Sequence, residues 1–393
     1  MSIELSNPIS SRNNQTKSNT YVQKLNNRRH LSTISFNLSQ NENLISYYEK
    51  TLNQINDPNF NIFSFQKSLN LTNSNLMYTI SNFIFEKLGF YKENIISKKK
   101  LKSFTNKVVS LYKSNPYHNS IHACDVLQTC YIIILKGNFK SKKIFNSIDL
   151  SSLFIASMIH DICHPGLSNF YQKNKKTDIG LLYNESPLEN MHINKGIEIL
   201  ENENFNVFEN LNFSDFDIVK KRIIKGILMT DGSKHNNLIK EMENLIEKIN
   251  LNSNQNEKNL IDKFYNVFSN GKIEKNEIFN IQQTLFNFIL HTSDISNPSK
   301  KFEIYSKWTE FVTNEFFNEG DLEKLENLPV NFLCDRDNTN IPKSQISFIN
   351  FVVLPDFKIL SKIIPECYFY VENCENNIKE WNEKLNQEKQ KKL

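Results

Sequence analysis

The chain has 393 residues, 39% of them hydrophobic and 12% aromatic, enough to bury a large core in one large domain or in two or three small ones. Its 47 basic and 43 acidic residues leave a formal charge of +4, a near balance that excludes a dedicated nucleic-acid binder. Six cysteines without a CxxC pair, no signal-like N-terminal apolar stretch and no apolar run near the roughly 18 residues that cross a bilayer point to a reduced, cytoplasmic protein without membrane insertion.

Residues 1–50 are rich in Asn, Ser, Gln and Thr and poor in large apolar side chains, so they are expected to form a flexible tail. Within it, Arg28-Arg29-His30-Leu31-Ser32 places arginines three and four residues ahead of a serine, a site that suits a basophilic kinase as a partner. From residue 51 to 385 apolar residues recur at helical spacing, as in Ile278, Ile281, Leu285 and Phe288, or Ile304, Trp308, Phe311 and Phe316. Period-two runs are rare, and neither a repeat nor a Gly/Ser linker interrupts the stretch. The reading is an all-α fold, one compact multi-helix domain, closed by a Lys-rich end at 386–393.

Asn115-Pro116 predicts a helix from Pro116, which places His118 and His122 one turn apart on one face. Such a pair alone is more often structural or incidental than a ligand pair. The apolar run ending at Ile159 should bury His160 and Asp161, and a buried ionised Asp is costly unless paired or bound to a metal. Pro165 then predicts a stop. Ser186-Pro187 predicts another helix start, where Glu189 stands at capping-box spacing from Ser186 and has a purely structural role open to it. Asp294, in LHTSDISNP, completes a His, His, Asp, Asp set. Mixed nitrogen and oxygen donors suit Zn²⁺, and a bridging aspartate suits a second, harder ion such as Mg²⁺ or Mn²⁺. Five of the eight histidines lie between 118 and 192, a clustering that weighs against core filler. Gly320 and Pro355 predict helix ends, and Asn340-Ile341-Pro342 predicts a start. Gln345 and Phe348, three apart, then share a helix face.

PYHNSIHACDV, HDICHPGLSNFY, LLYNESPLENMH, ILMTDGSKH, HTSDISNP and KSQISFINF, in this order, resemble the class I 3′,5′-cyclic-nucleotide phosphodiesterases, whose all-α catalytic domain is of the HD metal-hydrolase type. The resemblance implies hydrolysis of a cyclic nucleotide to its 5′-monophosphate. It makes His122, His160, Asp161 and Asp294 ligands of two divalent metals, Zn²⁺ at the first site and Mg²⁺ or Mn²⁺ at the second, with Asp161 between them. His118 becomes the general acid, Glu189 the group that orients it, and His164, Asn169, His192, Thr230 and Asp231 a surrounding polar shell. Tyr117, Asn297, Tyr305, Val312, Leu333, Gln345 and Phe348 become the nucleotide pocket, in which Gln345 reads the base edge and Phe348 stacks on its face. Tyr305 and Asn297 resemble the cAMP-preferring members, with Tyr305 turning the Gln345 carbonyl towards the adenine amino group; cGMP-specific and dual-specificity enzymes are the alternatives. Cys163, Met191 and Gly232 depart from the family pattern. An HD-domain nucleotidohydrolase would explain His160-Asp161 but not Gln345 and Phe348, and an inactive scaffold would not need His118 beside intact ligands.

Overall fold

A computed structural model of the protein describes residues 42–252, 259–269 and 273–391. Ser32 and most of the predicted tail lie outside the described residues. The chain divides into residues 1–54 and 55–393. The described part of the first is helix α1 (Glu42–Asn53), which begins inside the predicted tail because Ile45, Tyr48 and Leu52 repeat at helical spacing.

In the second unit α2 (Ile62–Ser68), α3 (Asn73–Lys87) and α4 (Lys98–Leu111) precede the two innermost helices, α5 (Ser120–Lys136) and α6 (Ser147–Ile159). Both are apolar around most of their circumference and nearly every residue is buried, the pattern of a helix surrounded by others. Short α7 (Asn169–Lys175) and α8 (Asp178–Leu182) lead to α9 (Pro187–Glu201) and α10 (Phe213–Leu228). Next come α11 (His235–Asn252), α12 (Leu260–Ser269) and α13 (Lys275–Asp294), and α13 packs on α5 and α10. The series closes with α14 (Phe302–Leu325), α15 (Ile341–Phe348), α16 (Leu354–Ile363) and α17 (Tyr368–Lys391), the last running into the Lys-rich end. The predicted all-α fold is borne out, with no strand among the described residues. No helix among them is long and apolar enough to cross a membrane.

One buried cation locks the centre. Arg222 of α10 donates from Nε to Asp149 Oδ1 at 2.9 Å, from Nη1 to the Phe279 carbonyl at 2.9 Å and from Nη2 to Gln282 Oε1 at 2.9 Å, tying α6, α10 and α13 together. Asp149 also completes the capping box of α6 with Asn146.

Three predicted boundaries are corrected. The helix expected from Pro116 starts at Ser120, because Asn119 is the stronger cap: its Oδ1 accepts from Ile121 N at 2.9 Å and its Nδ2 donates back to the Asn115 carbonyl at 3.0 Å. His118 therefore lies in the turn before α5 and does not share a helix face with His122. Gly320 does not stop α14; a Cβ there would come within 2.0 Å of the Cys334 carbonyl, so the position needs glycine for close backbone approach. Pro355 does not end a helix either. It sits in the first turn of α16, after a π-helical segment, Ile349–Val353, whose wider ladder accommodates the missing N–H and the ring.

Candidate active site

The site is assembled where three helices end or begin. His122 comes from the first turn of α5, His160 caps the C-terminus of α6 with Asp161 next, and Asp294 is the last residue of α13. His122 Nε2 lies 2.9 Å from Asp294 Oδ1 and 3.6 Å from Asp161 Oδ2, and His160 Nε2 lies 3.1 Å from Asp161 Oδ2 and 3.2 Å from Asp294 Oδ1. His160 Nδ1 donates to the Ser157 carbonyl at 2.9 Å, which leaves the Nε2 lone pair facing the carboxylates. Burial works against the charge on both carboxylates, yet the positive charge that His160 carries when Nε2 is protonated holds both below the ordinary aspartate range; a divalent cation in the proton's place would serve them the same way. Two imidazole nitrogens and two anionic oxygens at these separations, close to the roughly 3.4 Å edge of a shell with bonds of about 2.1 Å, fit a divalent cation.

Beside this floor, His118 is held by a carboxylate absent from the sequence reading. Glu315 of α14 takes the backbone N–H of Tyr117 at 2.9 Å and of His118 at 3.0 Å on Oε2, while its Oε1 pairs with His118 Nδ1. Burial lowers the His118 pKa, but the Glu315 charge outweighs it and carries the ring up to about 9. Asn115 Nδ2 ties the turn down, donating to the carbonyls of His118 and His164 at 2.8 Å each. The His164 ring stacks on His118 with centroids 4.0 Å apart, and burial followed by the His118 charge keeps it well below the usual histidine range.

Glu189 does not orient His118. Its carboxylate accepts from Asn169 Nδ2 at 2.9 and 3.2 Å, and burial raises its pKa to about 7. The capping-box alternative fails too, because Ser186 has a left-handed φ of +47° and spends its hydroxyl on Asp231 Oδ2 at 2.6 Å. Asp231 also accepts from Ser233 N at 2.9 Å, Thr230 Oγ1 donates to the Ile227 carbonyl at 2.9 Å, and His192 faces Asp161 Oδ1 at 3.8 Å with its Nδ1 on the Ile162 carbonyl at 2.6 Å. Glu189, Asn169, His192, Thr230 and Asp231 all line the same cavity of about 720 Å³. So does Gly232, where a Cβ would meet nothing within 4 Å.

The same cavity is lined by Tyr117, Asn297, Tyr305, Val312, Leu333, Gln345 and Phe348, with Tyr117 packed on the rings of His118 and His122. Phe348 is 37% exposed, a ring presented at the mouth instead of a core filler. Tyr305 does touch Gln345, but its hydroxyl donates to Oε1 at 2.6 Å, so the amide is turned opposite to the orientation expected for adenine. Asn297 is largely committed to its neighbours: its Oδ1 accepts from the Tyr117 hydroxyl at 2.6 Å and its Nδ2 donates to Asp125 Oδ2 at 3.1 Å. The overlooked Glu315 left one signal, three glutamates at 315, 319 and 323 along one face of a helix, all buried. Glu319 uses the same face to accept from Ser168 N at 2.5 Å and Ser168 Oγ at 2.6 Å, fixing the loop ahead of Asn169.

This geometry has known counterparts. The chain is 33% identical over 300 residues to the cGMP-specific 3′,5′-cGMP phosphodiesterase 3 of Dictyostelium discoideum, covering 76% of this chain and 59% of the relative. It is 31% identical over 273 residues to the 3′,5′-cyclic-AMP phosphodiesterase 4C of Rattus norvegicus, covering 69% of this chain and 47% of the relative. The chain thus spans about half the length of the curated relatives it matches. The crystal structure of the phosphodiesterase domain of Salpingoeca rosetta rhodopsin phosphodiesterase superposes with a TM-score of 0.71 at 30% identity, covering 82% of this chain and 92% of that domain. Residues 117–374, more than half of the chain, match the family described as 3′5′-cyclic nucleotide phosphodiesterase, a family that uses divalent metals, and the chain belongs to it.

Proposed function

We propose that the protein hydrolyses the 3′ phosphoester bond of a purine 3′,5′-cyclic nucleotide, giving the 5′-monophosphate and ending a cyclic-nucleotide signal, with residues 51–385 as the catalytic domain. The observation that carries this is the placing of His118, held by Glu315, beside a His122, His160, Asp161, Asp294 cluster whose two aspartates line one cavity together with Gln345 and Phe348. Those four ligands would hold Zn²⁺, and Asp161, with the polar groups around Glu189, His192 and Asp231, would reach a second ion, Mg²⁺ or Mn²⁺. Bound there, divalent cations polarise a phosphate and lower the pKa of water, supplying a nucleophile near neutral pH. As water attacks phosphorus the P–O3′ bond breaks, and His118 gives its proton to the departing O3′. Glu315 occupies Nδ1, so the proton available for transfer is the one on Nε2. Six free cysteines support a reducing, cytoplasmic setting.

For the base we assign cAMP, on the family resemblance of Asn297 and Tyr305. This requires the Gln345 amide to turn over, so that Nε2 donates to the Tyr305 hydroxyl and Oε1 accepts from the adenine amino group. A hydroxyl both donates and accepts, so the turn costs no hydrogen bond. The orientation in the structure favours the second reading, in which Nε2 donates to the guanine carbonyl. Purified protein with Zn²⁺ and Mg²⁺ or Mn²⁺, assayed with cAMP and cGMP side by side, tests both levels. Higher kcat/KM for cAMP supports the assignment, higher kcat/KM for cGMP replaces it, and no turnover of either removes the activity itself.

A further inference from the structure

A second group of histidines and a carboxylate lies outside the cavity. His235 is the first residue of α11, His291 sits in the last turn of α13, and Asp356 in the first turn of α16. All three are buried, and Asp356 is 0% exposed. His235 Nδ1 and His291 Nε2 are 3.0 Å apart. Asp356 Oδ1 stands 3.7 Å from His235 Nε2, and its Oδ2 stands 3.8 Å from His291 Nε2. Those two separations are too long for hydrogen bonds. Oδ2 has a long one, accepting from Thr292 Oγ1 at 3.3 Å, and Oδ1, buried, has none.

A buried carboxylate oxygen without a partner is costly, and a proton or a cation relieves it. Burial favours a proton on Asp356, but each neutral ring keeps one lone-pair nitrogen, and a cation can take both in place of the hydrogen bond between His235 Nδ1 and His291 Nε2. Burial lowers the pKa of both imidazoles, that of His291 to about 4, so both rings are neutral near pH 7 and keep ligating nitrogens. The gaps also fit an intervening ion. Ligands on a tetrahedral Zn²⁺ with bonds of about 2.0–2.2 Å stand roughly 3.4 Å from one another, and the three groups lie within 4.8 Å of one another.

We propose that His235, His291 and Asp356 form a third divalent-metal site, of zinc type, with two imidazole nitrogens, one carboxylate oxygen and a solvent molecule in the fourth position. Its role is structural. His235 follows directly on the loop bearing Thr230 and Asp231, and His291 is three residues ahead of Asp294, so an ion here braces two segments of the cavity from behind by fastening α11, α13 and α16. Nothing in this assignment depends on the hydrolytic reading.

The direct test is anomalous diffraction at the zinc edge from crystals of the full chain grown with Zn²⁺. A peak between the three side chains with bonds of about 2.0–2.2 Å is expected, and absence of density there at saturating Zn²⁺ overturns the site. A count of zinc per chain by mass spectrometry gives the second arm. After stripping and reloading, wild-type protein should hold one more zinc than Asp356→Leu, and Zn²⁺ should raise the melting temperature of wild type by more than that of the variant. Equal zinc content and equal shifts in the two proteins would contradict the proposal. Should Asp356→Leu not fold, His235→Gln, whose ring is at the edge of the cluster, serves the same comparison with the same outcomes.

Discussion

Among the described residues histidines gather beside carboxylates in three places, of which the floor of the candidate site and the group behind it differ most in surroundings. At His122, His160, Asp161 and Asp294 two carboxylates stand 2.9–3.6 Å from the ring nitrogens, the group borders a cavity of about 720 Å³, and His118 lies beside it. At His235, His291 and Asp356 a single carboxylate stands 3.7 and 3.8 Å from the rings, with no proton donor poised over an open volume. Similar donor chemistry serves both. What the proposed reactive centre has and the other lacks is an open face and the Glu315-held His118 beside it, supplied by distant parts of the chain: the turn before α5, and α14.

Variants that exchange the fates of the two clusters would break this contrast. The largest effect is expected from Asp294→Ala, which removes an anionic ligand no neighbour can replace; hydrolysis should vanish and metal content should fall. Asp356→Leu should lower stability and zinc content while leaving substantial turnover, and a variant as inactive as Asp294→Ala would erase the distinction. His118→Ala comes next, with kcat down by about 10²- to 10⁴-fold at unchanged metal content. Loss of metal in that variant would make His118 a ligand.

Glu315→Gln sharpens the acid's part. His118 must be protonated to donate, and although burial lowers its pKa, Glu315 raises it to about 9, so the rate should hold with rising pH and fall through about 9. Removing the carboxylate charge, a charge-assisted bond of about 1.5–3 kcal/mol, should move that fall down by about one to two pH units. A pH–kcat profile that stays in place would show that Glu315 does not set the acid. The smallest effect belongs to the base end. Tyr305→Phe removes one hydrogen bond of about 0.5–1.5 kcal/mol that the hydroxyl can make to the Gln345 amide in either orientation, so kcat/KM should fall several-fold for cAMP and cGMP alike, while a fall confined to one nucleotide would make Tyr305 the residue that selects the base.

The same contrast explains what could be read from the sequence. The residues of the proposed metal site were legible because they lie in three short motifs, PYHNSIHACDV, HDICHPG and HTSDISNP, and the apolar run before His160 announced its burial. The partner of His118 was not, since Glu315 is almost 200 positions away in sequence and meets His118 only when α14 packs over the turn. His235, His291 and Asp356 are likewise unrelated in sequence. At the level of the fold, helical periodicity carried the class, but local stop signals misled wherever tertiary packing overrode them: Gly320 serves the approach of Cys334, and Pro355 is absorbed by a π-helical turn. The Pro116 start lost to Asn119, a competition between neighbouring caps that composition alone does not decide.

Hydrolysis in ¹⁸O-enriched water tests the central claim most directly. Metal-loaded protein and cyclic nucleotide should yield the 5′-monophosphate with one ¹⁸O in the phosphate group and none at O3′, a reaction abolished by chelation and restored by adding the metals back. A 3′-monophosphate, label on the sugar oxygen, or no turnover at full metal content would contradict it.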